Sequence, residues 1–254
     1  MSIEKIDIEK VKGYISEMYS KKPLYSNYFN QMLSPDDYYS KTTHTLLISK
    51  AFTGFNRIYL LSDNIDDATK VLKTLKGINV LNIPSKGDIS HWEKLMHQSD
   101  FELISIYERF YNTNIRKRDE KEAIIYAIPG QEKEIYNLFH ESGFFSIYTD
   151  FLPSYEEIKK MIEQKNVIVN VVDKQIQGAF VFLIEGLKCN FQAWIDMSNN
   201  RLKLLFDAYN IVVEKNLAYV YLWVNSENKK VKSIHRMMGA KPDGLKDYTF
   251  IKNK

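Results

Sequence analysis

The sequence predicts an α/β protein, a mixed central sheet flanked by helices and built in two successive halves. Three observations predict it. Short runs rich in Val, Ile, Leu, Tyr and Phe alternate with longer stretches whose apolar residues recur every three or four positions. The order strand, helix, strand, helix, strand occurs once in each half, about 120 residues apart, as a repeat of order and not of residues. At 254 residues the chain suits two domains of about 100 to 150 residues. Its 44% hydrophobic and 26% charged residues supply both a core and a solvated surface, which excludes wholesale disorder.

The elements follow in order. Ile6, Ile8, Val11, Tyr14, Ile15 and Met18 share one helical face, and the segment bracketed by Pro23 and Pro35 reads as loop. Residues 45–52 and 56–62 read as strands joined tightly at Thr53 and Gly54. A helix over 65–77 follows, with N-cap candidates among residues 62–67 and Gly77 at its C-terminus. Residues 78–84 are then a strand, 88–100 a helix with Asp88 as a candidate cap, and 101–112 a strand. The mixed-sign charges of residues 116–122 read as a solvated linker.

In the second half, residues 122–129 read as a strand and 130–143 as a helix closed by Gly143. The helix over 154–165 opens with the capping box Ser154 to Glu157. Strands follow over 166–173, 176–186 and 189–196, the first two joined at Lys174 and Gln175, with Gly178 permitting close approach. A helix over 201–216, a strand over 218–225, a helix over 227–239 and a strand over 247–252 complete the chain.

Composition excludes several classes. A net charge of +3, spread along the chain, gives no nucleic-acid footprint. No apolar run approaches the roughly 20 residues of a membrane span, and the first ten residues carry acids where a signal peptide is basic and then apolar, so a soluble cytoplasmic protein without a membrane partner is expected. One cysteine, Cys189, builds neither a disulfide nor a multi-thiolate zinc site. His44, His91, His97 and His140 show no metal-ligand spacing, and no metal is expected.

The second half carries the one specific pattern. A strand ends in Val224 and Asn225, Asn228 stands three residues on, Val231 and Ile234 follow at helical spacing, and Gly239 closes the helix. This resembles the C-terminal signature of the GNAT superfamily of acyl-CoA-dependent N-acyltransferases, with two departures: His235 stands where the family usually has Tyr, and Ala240 where it has Phe. The order of elements over the second half is similar to the same fold. The resemblance implies a tandem GNAT-like architecture, with a reduced GNAT-like domain over 1–115 and an N-acyltransferase domain over 120–254. It implies acetyl-CoA or another acyl-CoA as co-substrate and a small-molecule or peptide amine as acceptor. It also places the donor's pantetheine arm beside residues 189–196, so that Trp194, Ile195, Asn225 and Asn228 lie near the cofactor.

The two asparagines have a capping role on their own account, Asn225 at a strand end and Asn228 before a helix. The family's glycine-rich pyrophosphate loop is missing, since residues 197–203 contain no glycine; Asn199, Asn200 and Arg201, with Lys203, are the groups there that can meet phosphate. His235 is the candidate acid for the departing thiolate, because an imidazolium is a competent acid near neutral pH; packing under the last strand is the alternative. Asp196 and Glu185, at the ends of successive strands, are candidate bases or simply solvated carboxylates. The aromatics of residues 25–30, 36–40 and 144–151, read as loops, can line a substrate cleft, though core packing accounts for most of them. Two rival functions stay open: aminoacyl-tRNA-dependent transfer on the same fold, and a non-catalytic binding protein that keeps the scaffold. The sequence leaves oligomeric state, acyl group and acceptor undetermined.

Overall fold

The structure is a computed structural model that describes residues 4–28, 33–117, 123–198 and 202–253. It divides into two compact units, Met1–Ile106 with Leu245–Lys254, and Tyr107–Gly244. The sequence leads one to expect the division in the charged stretch, with the C-terminal strand in the second domain. The compact units instead change over inside a strand, and the last strand lies with the first unit; a run of charge marks solvent exposure, which is not the same property as a contact boundary.

The first unit runs β1 (Glu4–Lys5), α1 (Ile8–Ser20), β2 (Tyr25–Ser26), β3 (Tyr38–Lys41), β4 (Thr45–Phe52), β5 (Phe55–Ser62), α2 (Ile65–Lys73), β6 (Ile78–Ser85), α3 (Ser90–Gln98) and the start of β7 (Glu102–Asn112). Its strands take the order β1-β3-β4-β5-β6 and then the C-terminal strand, with β2 paired to β5. Strand alternation sends neighbouring residues to opposite faces. Leu46, Ile48 and Leu61 therefore pack with Val11 and Met18 of α1, while Leu47, Ile58, Leu60 and Leu81 pack with α2 and α3 through Val71, Leu72, Trp92 and Leu95. Asp7 and Asn64 cap α1 and α2 by accepting the Lys10 and Asp67 N–H groups. Asp88 accepts the Ser90 N–H at 3.0 Å, although Ile89 holds the cap position of α3. The segment expected as loop before residue 40 holds β2 and β3, and its Tyr25, Tyr28 and Tyr39 are buried, so these rings are core.

The second unit continues with α4 (Glu132–His140), α5 (Tyr155–Glu163), β8 (Val167–Val172), β9 (Gln175–Glu185), β10 (Lys188–Asp196), α6 (Lys203–Glu214), β11 (Tyr219–Asn225) and α7 (Lys229–Met237). The closing strand β12 (Lys241–Asn253) begins here and pairs with β6 of the first unit through residues 246–253. Within the second unit the order is β7-β11-β10-β9-β8. The capping box forms, with Ser154 accepting the Glu157 N–H and Glu157 accepting the Ser154 N–H. Hairpin β8–β9 turns at Asp173 and Lys174, both at positive φ (51° and 65°), one residue before the expected joint. The strand expected over 122–129 reduces to a single bridge, Tyr126 to Ile168, flanked by two backbone bonds, before Pro129 and Gly130 end it.

A β-bulge sits in β10 between Phe191 and Ala193. An extra residue reverses the parity of a strand. Cys189 and Phe191 accordingly face α6, whereas Ala193 and Ile195 face α4 and α5, and Trp194 swings to the α6 side.

One buried polar network stands out in the first unit. Asn82 Oδ1 accepts from Arg57 at 2.7 Å, and Asn82 Nδ2 donates to Asp247 at 3.0 Å and to Thr249 at 2.9 Å. Burial pushes the Asp247 carboxyl up to about 6, against the Asn82 bond and the Arg57 charge. The folded state thus holds this proton more tightly than the unfolded chain. That contribution is complete below the ordinary value of 3.8 and is lost as the pH rises through about 6. Asp247→Asn is expected to raise unfolding free energy at pH 7.5 by about 1–2 kcal/mol and to change it little at pH 4. Urea unfolding at the two pH values measures the difference.

Candidate functional site

The site is a gap between two parallel strands. β10 and β11 pair in register from Lys188–Tyr219 to Phe191–Leu222, and there the ladder stops. Beyond it β10 carries the bulge and β11 runs on to Asn225. The other edge of β10 stays paired with β9 as far as Asp196–Gly178, and the Met197 N–H bonds to Gln177 O at 2.9 Å. Alternation then turns the N–H and C=O groups of Trp194 and Asp196 into the gap, where β11 no longer meets them.

A cavity of about 1180 Å³ occupies the gap, and all its lining residues belong to the second unit. On the α6 side it is bounded by Trp194, Ile234 and His235, on the opposite side by Tyr107, Trp223 and Phe145. Trp194, Ile195, Asp196, Asn225, Asn228 and His235, all expected at the site, line it together. Glu185 does not. It pairs with Lys188 across the β9–β10 turn, at the opposite end of the hairpin from Asp196, roughly 25 Å along the strand. Consecutive antiparallel strands end at opposite edges of a sheet, so the ends of β9 and β10 cannot share one site. Asn199, Asn200 and Arg201 lie outside the described residues.

The strand-to-helix connection explains the two asparagines. Asn225 Oδ1 accepts the Glu227 N–H at 2.9 Å, Asn225 O accepts the Asn228 N–H at 2.9 Å, and Asn228 Oδ1 caps α7 by accepting the Val231 N–H at 3.1 Å. Both therefore build the turn, and both border the cavity. α6 opens differently: Leu202 holds its cap position and provides no side-chain acceptor. Lys203 is buried against Asp207 at 2.8 Å, so its charge is spent inside the unit and not offered to the loop.

His235 is 4% exposed, lies edge-on to Trp194 at 6.5 Å, and its Nδ1 has no hydrogen-bond partner among the described residues. Burial pushes its pKa down to about 4. The ring is neutral at physiological pH, and the imidazolium anticipated as acid is absent there. Asp196 accepts the Ser198 N–H at 2.9 Å and an Asn170 N–H at 3.3 Å. Behind it lies Gly178, where a Cβ would stand 2.8 Å from the Asp196 carboxyl carbon and 2.9 Å from Leu204. Cys189 is fully buried, and burial pushes its thiol up to about 12, which leaves it inert.

Sequence reading missed Tyr107 and Asp150. Tyr107 donates to Asp150 Oδ1 at 2.6 Å, while Asp150 Oδ2 accepts the Ser146 N–H at 2.7 Å. Burial, and next the Asp150 charge, hold the Tyr107 phenol well above its ordinary range. Tyr107 was hidden because its strand was assigned whole to the first half. Asp150 lies in the aromatic stretch 144–151, whose rings can line a cleft but whose carboxylate has no motif around it. Among the described residues no group of three or more His, Cys, Asp or Glu side chains can hold a metal, and no helix is long and apolar enough to cross a membrane.

No family model and no curated protein sequence matches the chain. Solved structures do. The chain is similar to a GCN5-related N-acetyltransferase from Sphaerobacter thermophilus, at TM-score 0.58 and 11% identity over 83% of this chain and 80% of that one. It is similar to a GNAT-family acetyltransferase from Colwellia psychrerythraea, at TM-score 0.58 and 9% identity over 100% of both chains. A tandem GNAT protein from the clavulanic acid biosynthesis pathway aligns at TM-score 0.56 and 8% identity over 99% of this chain and 98% of its own. At such identities the likeness is one of fold: the chain has the α/β GNAT fold in tandem arrangement.

Replacing Gly178 tests how tightly the cavity's end is built. Gly178→Ala forces a methyl against Asp196 and Leu204, and is expected to cost about 1–3 kcal/mol of stability. Denaturant unfolding of the two proteins measures it.

Proposed function

We propose that the chain transfers an acyl group from acetyl-CoA or another acyl-CoA to an amine, with the donor held in the second unit. One observation carries the reading: the β10 edge at Trp194 and Asp196 is open to a cavity where a parallel neighbour has parted from it. A pantetheine arm bears amides at a spacing that a free strand edge can pair, and burying its chain in an apolar gap adds to that. The first turn of α6, whose cap residue Leu202 brings no side-chain acceptor, supports the pyrophosphate, since N–H groups at a helix start favour an anion. This route needs no glycine-rich loop.

The acceptor enters from the side of Tyr107, Trp223 and Phe145. Two lining carboxylates, Asp150 and Asp196, are fixed by N–H donors and supply the countercharge for an ammonium and a destination for its proton. His235 acts as a neutral N–H donor to the departing sulfur, because its burial forbids the charged form. Glu185 takes no part.

Two outcomes test this. Acetyl-CoA or a longer acyl-CoA is expected to raise the melting temperature of the full chain in proportion to ln(1 + [L]/Kd). No shift with any acyl-CoA at millimolar concentration would favour the non-catalytic reading. His235→Phe is expected to lower kcat roughly ten- to a hundredfold, the value of one hydrogen bond to a charged group, with little change in CoA affinity. The pH–rate profile of the wild type should lack a limb near 6.5; a limb there that vanishes in His235→Phe would restore the imidazolium as acid.

A further inference from the structure

The first unit contains the same arrangement of strands, and there the gap is full. β5 and β6 pair in parallel only at Asn56–Asn79 and Arg57–Val80 and then part, as β10 and β11 do. β4 pairs with one edge of β5 along its whole length, from Phe52–Phe55 to Thr45–Ser62. A strand has two edges, so β2, which pairs with Leu61 and Ser62 of β5, lies on the edge that β6 has left. The next residue, Asn27, continues the ladder through its backbone N–H, which donates to Leu60 O at 3.2 Å.

The Asn27 side chain closes what remains. Its Nδ2 donates to Ile58 O on β5 at 3.0 Å and to Asn82 O on β6 at 3.0 Å, and its Oδ1 accepts the Leu60 N–H at 2.6 Å. A carboxamide thus spans the two parted strands, bonded to the backbone of both. Asn27 is 3% exposed, and its β6 partner Asn82 is itself locked by Arg57, Asp247 and Thr249. Chemically this is a secondary-amide mimic: one acceptor and N–H donors presented to strand edges, as a pantetheine amide would present them.

We propose that the first unit carries a second copy of the cleft which the chain itself occupies, Asn27 standing where a pantetheine amide would, so that each chain takes one acyl-CoA, in the second unit. The single-equivalent count rests on the acyl-CoA reading of the second unit; the closure of the first does not. Emptying the first gap would leave the Leu60 N–H and two backbone carbonyls without partners in a buried site, which holds the segment in place.

The test uses the full wild-type chain, titrated with acetyl-CoA by isothermal titration calorimetry, with amide hydrogen exchange followed in parallel. One equivalent per chain is expected, with new protection confined to residues 192–197, 202–206 and 222–225 and with slow exchange at Leu60 that the ligand leaves unchanged. A second equivalent, or ligand-dependent protection at residues 58–60 or 81–83, overturns the proposal. If no acetyl-CoA binds, the acyl-CoA reading fails, and closure is judged without ligand. Leu60 exchange at least ten times faster in Asn27→Ala than in wild type supports it. Leu60 exchanging in the wild type as fast as an exposed amide overturns it. That last readout needs no variant and so stands even if Asn27→Ala does not fold.

Discussion

The second unit is organised by the point at which a parallel ladder stops. A parallel pair is held by evenly spaced backbone bonds, and nothing in the pattern itself ends it. Here it stops at the bulge at Phe191 and Ala193, where an extra residue bends and twists β10 while β11 keeps its pairing with β7 as far as Asn225. Everything at the site follows from that bend. It exposes backbone amides at Trp194 and Asp196, moves the indole to the α6 face beside His235, and sends Ala193 and Ile195 to the helices on the other side. With regular alternation β10 would instead carry Ala193 and Ile195 on the α6 face with Cys189 and Phe191.

The chemistry available in that gap is set by dehydration more than by the kinds of residue present. Burial pushes His235 down, which makes it neutral, and pushes the already neutral Tyr107 phenol further up. The carboxylates of Asp150 and Asp196 are held in place by the Tyr107 hydroxyl and by the Ser146 and Ser198 N–H groups. Such a site favours hydrogen-bond donation to a developing anion over long-range proton transfer, since neutral donors need no desolvated countercharge. The buried Lys203–Asp207 pair belongs to the same pattern, a charge satisfied within the unit instead of being presented to a ligand.

Much of this was legible in the residues. The capping box at Ser154, the cap at Asn228 and the hairpins announce themselves, because caps and turns depend on side chains within four positions. The bulge left only a faint mark, since Cys189, Phe191, Ala193 and Ile195 keep the odd parity of a regular strand and Trp194 alone departs from it. Glu185 could have been set aside from topology alone, since a hairpin carries successive strand ends apart. Three things had no local signature. The neutrality of His235 depends on what is packed over it, and Tyr107 reaches the cavity only because the contact boundary falls inside its strand. β2 is two residues long and surrounded by Tyr and Asn, too short for a period to show.

The first unit's sheet has an unusual completion order. Its β6 is paired over eight consecutive positions, from Lys246–Ser85 to Asn253–Ile78, with a strand at the far end of the sequence. During synthesis the ribosome delivers β1 to β6 first, and at roughly 5–20 residues per second the missing neighbour emerges about ten or more seconds later. Throughout that interval β6 presents a bare edge with Val80, Leu81 and Ile83 beside it, the sort of edge to which other chains pair. The nascent protein therefore matures from its middle outward, and its earliest-made half is among the last to be sealed.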